Sequence, residues 1–356
     1  MRSPKAPYAH VSKYEGLQLL RILAAVFVVI LHSTLYTKER LLPSEQLWSP
    51  GMSGVDIFFV LSGFVMIYSS QPLWGHPLGW RVFAERRVAR IVPMYWLATT
   101  IKLILMISGS REILHADLSP HTALASYLFL PYTNRDGELQ PLLGVGWTLN
   151  FEMFFYALFS LALFLKVNVY RFLGIILTLL ALGSYFRRPG WPPAAFYLNS
   201  VVLDFLFGML IAKFCLAKQF LPFWCAVGST AAGLAFLVFG IPYLPSLPEA
   251  LSFGVPATMM VWGVASLENR LPKIPSFILL LADASYLIYL YHSFAGPLAP
   301  KVLAKLHLLM PHLAVLISLV LSLLLGTTAY MLLDRPTTNY LRDKLRIRHR
   351  RIIAGA

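Results

Sequence analysis

Charge is scarce in this sequence, and that scarcity excludes most water-soluble folds. Only 13% of the 356 residues are Asp, Glu, Lys or Arg, while 58% are hydrophobic, and the mean hydropathy is +0.66. Cysteine is limited to Cys215 and Cys225 near one predicted cytoplasmic turn, which argues against a structural disulfide. Short-period repeats and low-complexity tracts are absent, and the longest polar stretch, 108–146, is too short and too broken by Pro and Gly for a second core.

Apolar runs, by contrast, recur from one end of the chain to the other. At about 20 residues per membrane span, they predict an all-α polytopic membrane protein with about ten transmembrane helices. The predicted helices are 17–36, 53–70, 91–108, 147–166, 170–186, 197–216, 222–241, 250–267, 278–299 and 312–333.

The distribution of Lys and Arg predicts the topology. With both termini in the cytoplasm, most of the 30 Lys and Arg fall on the cytoplasmic side, as the positive-inside rule requires. Arg187 and Arg188 are local exceptions. The net charge of +14 is therefore explained by topology rather than by nucleic acid, and the basic tail 341–356 is suited to anionic lipid headgroups.

The first apolar run carries two ionisable residues, Arg21 and His32, in LRILAAVFVVILH. Charged or titratable side chains at membrane depth are costly and are usually retained for function. Eleven residues are close to three helical turns, so both side chains share one face, roughly 16 Å apart along the axis. A cleaved signal peptide would also begin with basic residues and an apolar run, but it would have no use for this pair.

Further arginines precede the third predicted helix on the cytoplasmic side. Arg87 and Arg90 are i,i+3 neighbours on one helix face, and guanidinium groups suit phosphate binding. Positive-inside anchoring explains such a cluster equally well when it is taken alone. Arg21 favours a binding site because it lies deeper than an anchor needs to.

A second polar group lies toward the outer side at similar depth on four helices. Its members are His32, Asp56, Trp147, Asn150, Glu152 and His292. Glu152 lies inside its span, where an unpaired carboxylate is costly, so we expect a partner such as His32 or His292. Purely structural roles stay possible for three of the others. His292 could lie at the membrane interface, Asp56 could stabilise the dipole at a helix N-terminus, and Trp147 could belong to an aromatic belt. Asp204 is expected to pair with a neighbouring helix.

Four segments in this order resemble the acyltransferase-three family of bacterial integral-membrane acyltransferases. They are the Arg21-to-His32 helix, GVDIFFVLSGFVM at 54–66, RRVARIVPMYW at 86–96, and GVGWTLNFEMFFY at 144–156. ASYLIYLYH and the closing Asp334–Pro336 triplet add weaker support, with Asp334 where the family commonly has Glu. The resemblance spans nearly the whole chain.

The resemblance implies ten helices in a bacterial inner membrane and transfer of acyl groups, mostly acetyl, from cytoplasmic acyl-coenzyme A to sugar hydroxyls. It assigns functional roles to His32, Arg21, Arg87 and Arg90. Some members carry an eleventh helix and an extracytoplasmic hydrolase-like domain, which this sequence is expected to lack. One transmembrane acyltransferase domain, 1–340, is therefore expected.

The two polar groups predict a mechanism. Arg21, Arg87 and Arg90 would hold the phosphates of acyl-coenzyme A, a co-substrate rather than a tightly bound cofactor, and no metal is expected. His32 would act as the base, oriented by Glu152. Asp56, Trp147, Asn150 and His292 would contact a carbohydrate or glycolipid acceptor.

Two alternatives stay open at this point. His32 could instead be acylated briefly before the acceptor is modified. A proton-coupled transporter or flippase of a glycoconjugate would also use buried ionisable groups, although it has no evident need for the cytoplasmic arginines. The sequence leaves the acceptor, the acyl group and the oligomeric state undetermined.

Overall fold

The protein is a bundle of membrane-length α-helices. The structure is a computed structural model that describes residues 14–108, 119–133, 137, 139–188, 190–240 and 247–354, with side chains to residue 345. Its helices are α1 Glu15–Arg40, α2 Ser53–Ser70, α3 Gly79–Ile107, α4 Pro120–Tyr127, α5 Trp147–Phe164, α6 Val169–Gly183, α7 Val202–Leu216, α8 Phe223–Ala235, α9 Val255–Leu267, α10 Ser276–Ala295, α11 Leu298–Lys305, α12 Pro311–Ala329 and α13 Arg335–Ala354.

The all-α polytopic prediction is confirmed. Within the described ranges, nine helical segments are long and apolar enough to cross a membrane. The sixth predicted helix, 197–216, is not among these nine and is present as the shorter α7, because a 3-10 turn at Pro193–Tyr197 precedes it. The third begins at Gly79 rather than 91, so the arginines lie within α3 and not ahead of it.

The predicted basic tail is also helical. α13 runs from Arg335 to Ala354, directly after a π-helical turn at Tyr330–Asp334 that ends α12. The side chains after residue 345 and residues 355–356 lie outside the described part.

Alternation of the spanning helices defines two ends of the bundle. We call the end where α1 begins the amino-terminal face and the end where α1 finishes the opposite face. α2, α5 and α7 begin at the opposite face, and the segment between α6 and α7 also lies there.

Glycine brings α2 and α7 into backbone contact. A Cβ atom on Gly63 would lie 2.0 Å from the Phe205 carbonyl oxygen, and one on Gly208 would lie 1.9 Å from that of Val60. Such close approach is typical of helix pairs in membranes, where small residues let the backbones meet. α7 therefore supports α2 from behind, while the other side of α2 faces the site.

Candidate active site

The arginine cavity lies among α1, α2, α3, α5 and α10. It has a volume of about 210 Å³, and three guanidinium groups, from Arg21, Arg87 and Arg90, line it together with the Glu152 carboxyl group. Apolar side chains of α2 form much of the remaining wall. The predicted grouping of Arg21 with Arg87 and Arg90 is thus present in three dimensions.

The guanidinium groups of Arg87 and Arg90 are held in different ways. Arg90 Nη1 donates to Asp334 Oδ2 at 2.6 Å, and its guanidinium lies 5.5 Å from the centre of the Tyr286 ring. Arg87 lies over the rings of Phe83 and Tyr156, at 5.7 and 6.0 Å. Its Nε is buried and donates no hydrogen bond to any residue that the structure describes. A buried donor of this kind is costly unless a ligand accepts from it.

Among the described residues, Arg21 has only a weak hydrogen-bond partner. Its Nη1 lies 3.5 Å from Gln18 Oε1, and it interacts electrostatically with Asp283 and Glu152. Arg21 therefore has donor capacity left for an anion in the cavity.

Glu152 belongs to this arginine group and not to His32. Ser62 Oγ donates to Glu152 Oε1 at 2.6 Å, and the Tyr156 hydroxyl donates to the same oxygen. Arg87 and Arg21 interact with it electrostatically. The predicted pairing of Glu152 with His32 or His292 is therefore wrong. A carboxylate inside a span needs compensation, and two hydroxyl groups with two cations provide it.

His32 instead meets His292, and we call these two residues the histidine pair. Their ring centres are 4.8 Å apart. His32 Nδ1 lies 2.9 Å from the Val28 carbonyl oxygen, and His292 Nδ1 lies 2.5 Å from that of Tyr289. Carbonyl oxygens only accept, so each Nδ1 carries a hydrogen and each neutral ring presents Nε2 as its basic atom. His292 Nε2 is buried, and no group in the described part of the chain forms a hydrogen bond with it.

Tyr289 connects the arginine cavity with the histidine pair. Its side chain lines the cavity, and its ring centre lies 6.0 Å from that of His292. The Tyr289 hydroxyl donates to the Val145 carbonyl at 2.8 Å and lies 2.7 Å from Thr148 Oγ1. These contacts fix one wall of the cavity close to the His292 imidazole.

The remaining predicted acceptor residues lie in two other environments. Within the described residues, the carboxylate oxygens of Asp56 and Asp204 have no hydrogen-bond partner. Asp56, in the first turn of α2, is fully buried beside the carboxyl group of Asp204 on α7. This is the pairing with a neighbouring helix that the sequence predicts for Asp204. Trp147 packs edge-on against Phe151 at 6.0 Å. Asn150 is buried, and its Oδ1 accepts no hydrogen bond from the residues described.

Sequence reasoning missed the hydroxyl groups that complete the site. Tyr156 follows Glu152 by four residues, so helical i,i+4 spacing could have identified it. Tyr289 precedes His292 by three residues in the same way. Ser62 carries no such signal, because its contact with Glu152 joins positions 90 residues apart.

Comparison with known proteins adds a family and several relatives. The profile of the acyltransferase domain family Acyl_transf_3 matches residues 14–331. The exopolysaccharide production protein ExoZ of Rhizobium meliloti (strain 1021) is 38% identical over 318 residues, which cover 86% of this chain and 93% of ExoZ.

Two more distant relatives match parts of the chain. YrhL of Bacillus subtilis (strain 168), a candidate peptidoglycan O-acetyltransferase, is 29% identical over 44% of this chain and 27% of its own length. BcsY of Komagataeibacter xylinus, a candidate membrane-bound transacylase, is 26% identical over 68% of this chain and 65% of its own. No solved structure matches.

Proposed function

Because this chain belongs to the acyltransferase-three family and is a membrane acyltransferase, we propose that it acetylates a hydroxyl group of an exported polysaccharide, with cytoplasmic acetyl-coenzyme A as the donor. The observation that carries this proposal is a cavity with three arginines that reaches Tyr289, next to the histidine pair. The exopolysaccharide-related name of ExoZ, which matches most of the chain, supports a polysaccharide acceptor.

The arginine cavity receives the donor. Coenzyme A has phosphates at one end and a thioester at the end of a long thin arm. Arg21, Arg87 and Arg90 bind the phosphates through charge-assisted hydrogen bonds, in a bacterial inner membrane with the amino-terminal face toward the cytoplasm. The arm then passes the apolar wall formed by α2 and brings the thioester to Tyr289.

His32 acts as the general base. Its Nε2 takes the proton from the acceptor hydroxyl while that oxygen attacks the thioester carbonyl carbon. The carbon–sulfur bond then breaks, and the leaving thiolate takes the proton back from the imidazolium. Ester and free thiol are formed, and His32 returns to its neutral form. His292 positions the His32 ring by packing against it.

Glu152 has a different role from the one expected. It accepts hydrogen bonds from Ser62 and Tyr156 beside Arg87, so it positions the donor-binding groups. Asn150, with its free Oδ1, and Trp147 remain the proposed acceptor contacts. Asp56 is turned toward Asp204 and is not part of the proposed acceptor site.

Reconstitution of the reaction tests the function. We expect deletion of the gene to remove an acyl ester from surface polysaccharide. Purified protein in nanodiscs with acetyl-coenzyme A should restore that ester and release an equal amount of thiol. His32→Ala should do neither. No loss of any acyl ester on deletion, or polysaccharide export without thiol release, would overturn the proposal and favour a transporter.

The same preparation distinguishes the two chemical routes. Direct transfer leaves no radiolabelled acetyl group on the protein when acceptor is omitted. A label retained on wild-type protein and lost in His32→Ala would establish an acyl-histidine intermediate.

A further inference from the structure

A second, larger cavity lies on the opposite face, outside the site described above. It is a groove of about 900 Å³ between the segment that joins α6 to α7 and the residues that precede α9. The arginine cavity measures about 210 Å³. We call the larger cavity the α6–α7 groove. Its volume is in the range of ligand sites, whose usual size is about 300–1,000 Å³.

Positive charge distinguishes this groove from its surroundings. Arg187 and Arg188 line it, and both are exposed. They are local exceptions to the predicted positive-inside pattern, so membrane topology gives no reason for them. Among the described residues, neither arginine forms a salt bridge with a carboxylate. Their guanidinium groups are therefore available to an anion from outside the protein.

Aromatic side chains stand beside the arginines. Tyr185 and Trp191 line the same groove and are 70% and 44% exposed. Flat aromatic faces pack against the C–H faces of sugar rings, and Trp adds an N–H donor. Arginine matches a carboxylate with two parallel hydrogen bonds. Together these groups fit a saccharide that carries carboxylates.

The backbone presents these side chains in a fixed arrangement. The Trp191 amide donates to the Arg188 carbonyl at 3.4 Å, and the Arg187 amide to that of Ser184 at 3.2 Å. Gly190 has a φ of +84°, which a residue with a side chain rarely adopts. Pro192 and Pro193 then fix the following backbone.

One acidic side chain, Glu249, also lines the groove. Burial raises the pKa of its carboxyl group. Protonation of the Glu249 carboxyl group therefore costs less free energy here than in water. The protonated form does not repel the carboxylates of an acidic ligand.

We propose that the α6–α7 groove binds an acidic segment of the polysaccharide acceptor, with carboxylates on Arg187 and Arg188 and a sugar ring on Trp191. This inference rests on the proposed function, since it names the class of acceptor. It also places polysaccharide binding on the same face of the bundle as the histidine pair. The groove then holds one segment of the polysaccharide while a hydroxyl group on another segment reaches His32.

Binding of defined oligosaccharides tests the proposal without the transfer reaction. The full-length protein in phosphatidylcholine nanodiscs would be titrated with trigalacturonic acid and with neutral maltotriose. We expect preference for the acid and a loss of about tenfold in its affinity in R187Q/R188Q, with 1 M salt having a similar effect because it screens exposed charges. W191A should weaken both sugars. The matched control, K301Q/K305Q, removes the same charge from the same face outside the groove.

Several outcomes would overturn the proposal. Equal binding of both sugars, or equal losses in R187Q/R188Q and K301Q/K305Q, would do so. An effect of R187Q/R188Q confined to phosphatidylglycerol binding would make the arginines lipid contacts. Asp136 and Glu138 lie outside the described residues. A tenfold gain in affinity for trigalacturonic acid in D136N/E138Q would show that these carboxylates form ion pairs with Arg187 and Arg188, and the two arginines would then not be available to the ligand. Thiol release from acetyl-coenzyme A, measured in parallel, reports the transferase separately, so either proposal can fail alone.

Discussion

The arginine cavity and the histidine pair are assembled in different ways, although both depend on α1 and α10. In the cavity, side chains from distant parts of the sequence hold one another, as in the contact of Arg90 with Asp334 across 244 positions. In the histidine pair, each ring is held by a carbonyl of its own helix, four or three residues earlier. The cavity thus depends on the packing of many helices, while each imidazole is oriented locally. Changes in one region should therefore leave the other largely intact, and substitutions can test that separation.

The largest effect is expected at His32. Removal of the imidazole in His32→Ala should lower kcat by about a hundred- to ten-thousandfold, the usual contribution of a general base. The dissociation constant for coenzyme A should not change, because His32 lies outside the cavity lining. Radiolabelled acetyl transfer and calorimetric titration would measure the two quantities. The matched control is His312→Ala at an exposed position of α12, and near-normal transfer by His32→Ala would contradict the assignment.

Arg87→Gln should weaken binding of coenzyme A in the arginine cavity and leave the histidine pair unchanged. Loss of a charge-assisted hydrogen bond to phosphate costs about 1.5–3 kcal/mol, or about 10- to 100-fold in coenzyme A affinity. The catalytic rate at saturating donor should be kept. Arg81→Gln is the control, since Arg81 lies on the same helix and is 43% exposed beside Glu85. Equal losses in the two variants would mean that the arginines serve as membrane anchors.

His292→Ala should have a smaller effect, about tenfold on kcat, which corresponds to about 1.4 kcal/mol. It removes the ring that packs against His32, so the base becomes less well oriented while coenzyme A still binds. His292→Phe keeps a ring in place and should restore most of the rate. If only the acceptor KM rises, His292 is an acceptor contact, as its position in the sequence suggested.

The smallest effect is the coupling between positions. In a double-mutant cycle on coenzyme A affinity, Glu152→Gln and Arg87→Gln should interact by about 0.5–1 kcal/mol, the low end of the range for residues that share one network. In the same cycle with Glu152→Gln and His32→Gln, the effects of the two substitutions on coenzyme A affinity should be additive within about 0.5 kcal/mol. If Glu152→Gln were coupled to His32→Gln and additive with Arg87→Gln, Glu152 would act directly on His32, as the sequence predicted.

The sequence predicts the helices well, because a membrane span imposes its length and hydropathy on every element. The start and end of α2, 53 and 70, agree with the structure. Arg21, Arg87 and Arg90 could also be grouped, since helix alternation assigns each to one end of the bundle. Glu152 shows where this reasoning fails: depth alone does not say which neighbour a helix face meets. Its rotation toward Ser62 is set by packing between α2 and α5, which no local pattern encodes.

The close approach of α2 and α7 at Gly63 and Gly208 has a consequence for the chemistry. Neither position has room for a single methyl group, so a side chain at either one would push α2 and α7 apart. Ser62 stands next to Gly63 and donates to Glu152, and the apolar wall of the arginine cavity is formed by the same helix. The packing of α2 against α7 therefore determines the depth of the arginine cavity, although it lies outside the cavity. A methyl group added at Gly63 or Gly208 would change how deep the thioester can enter in the proposed reaction, without contacting any residue that binds the donor.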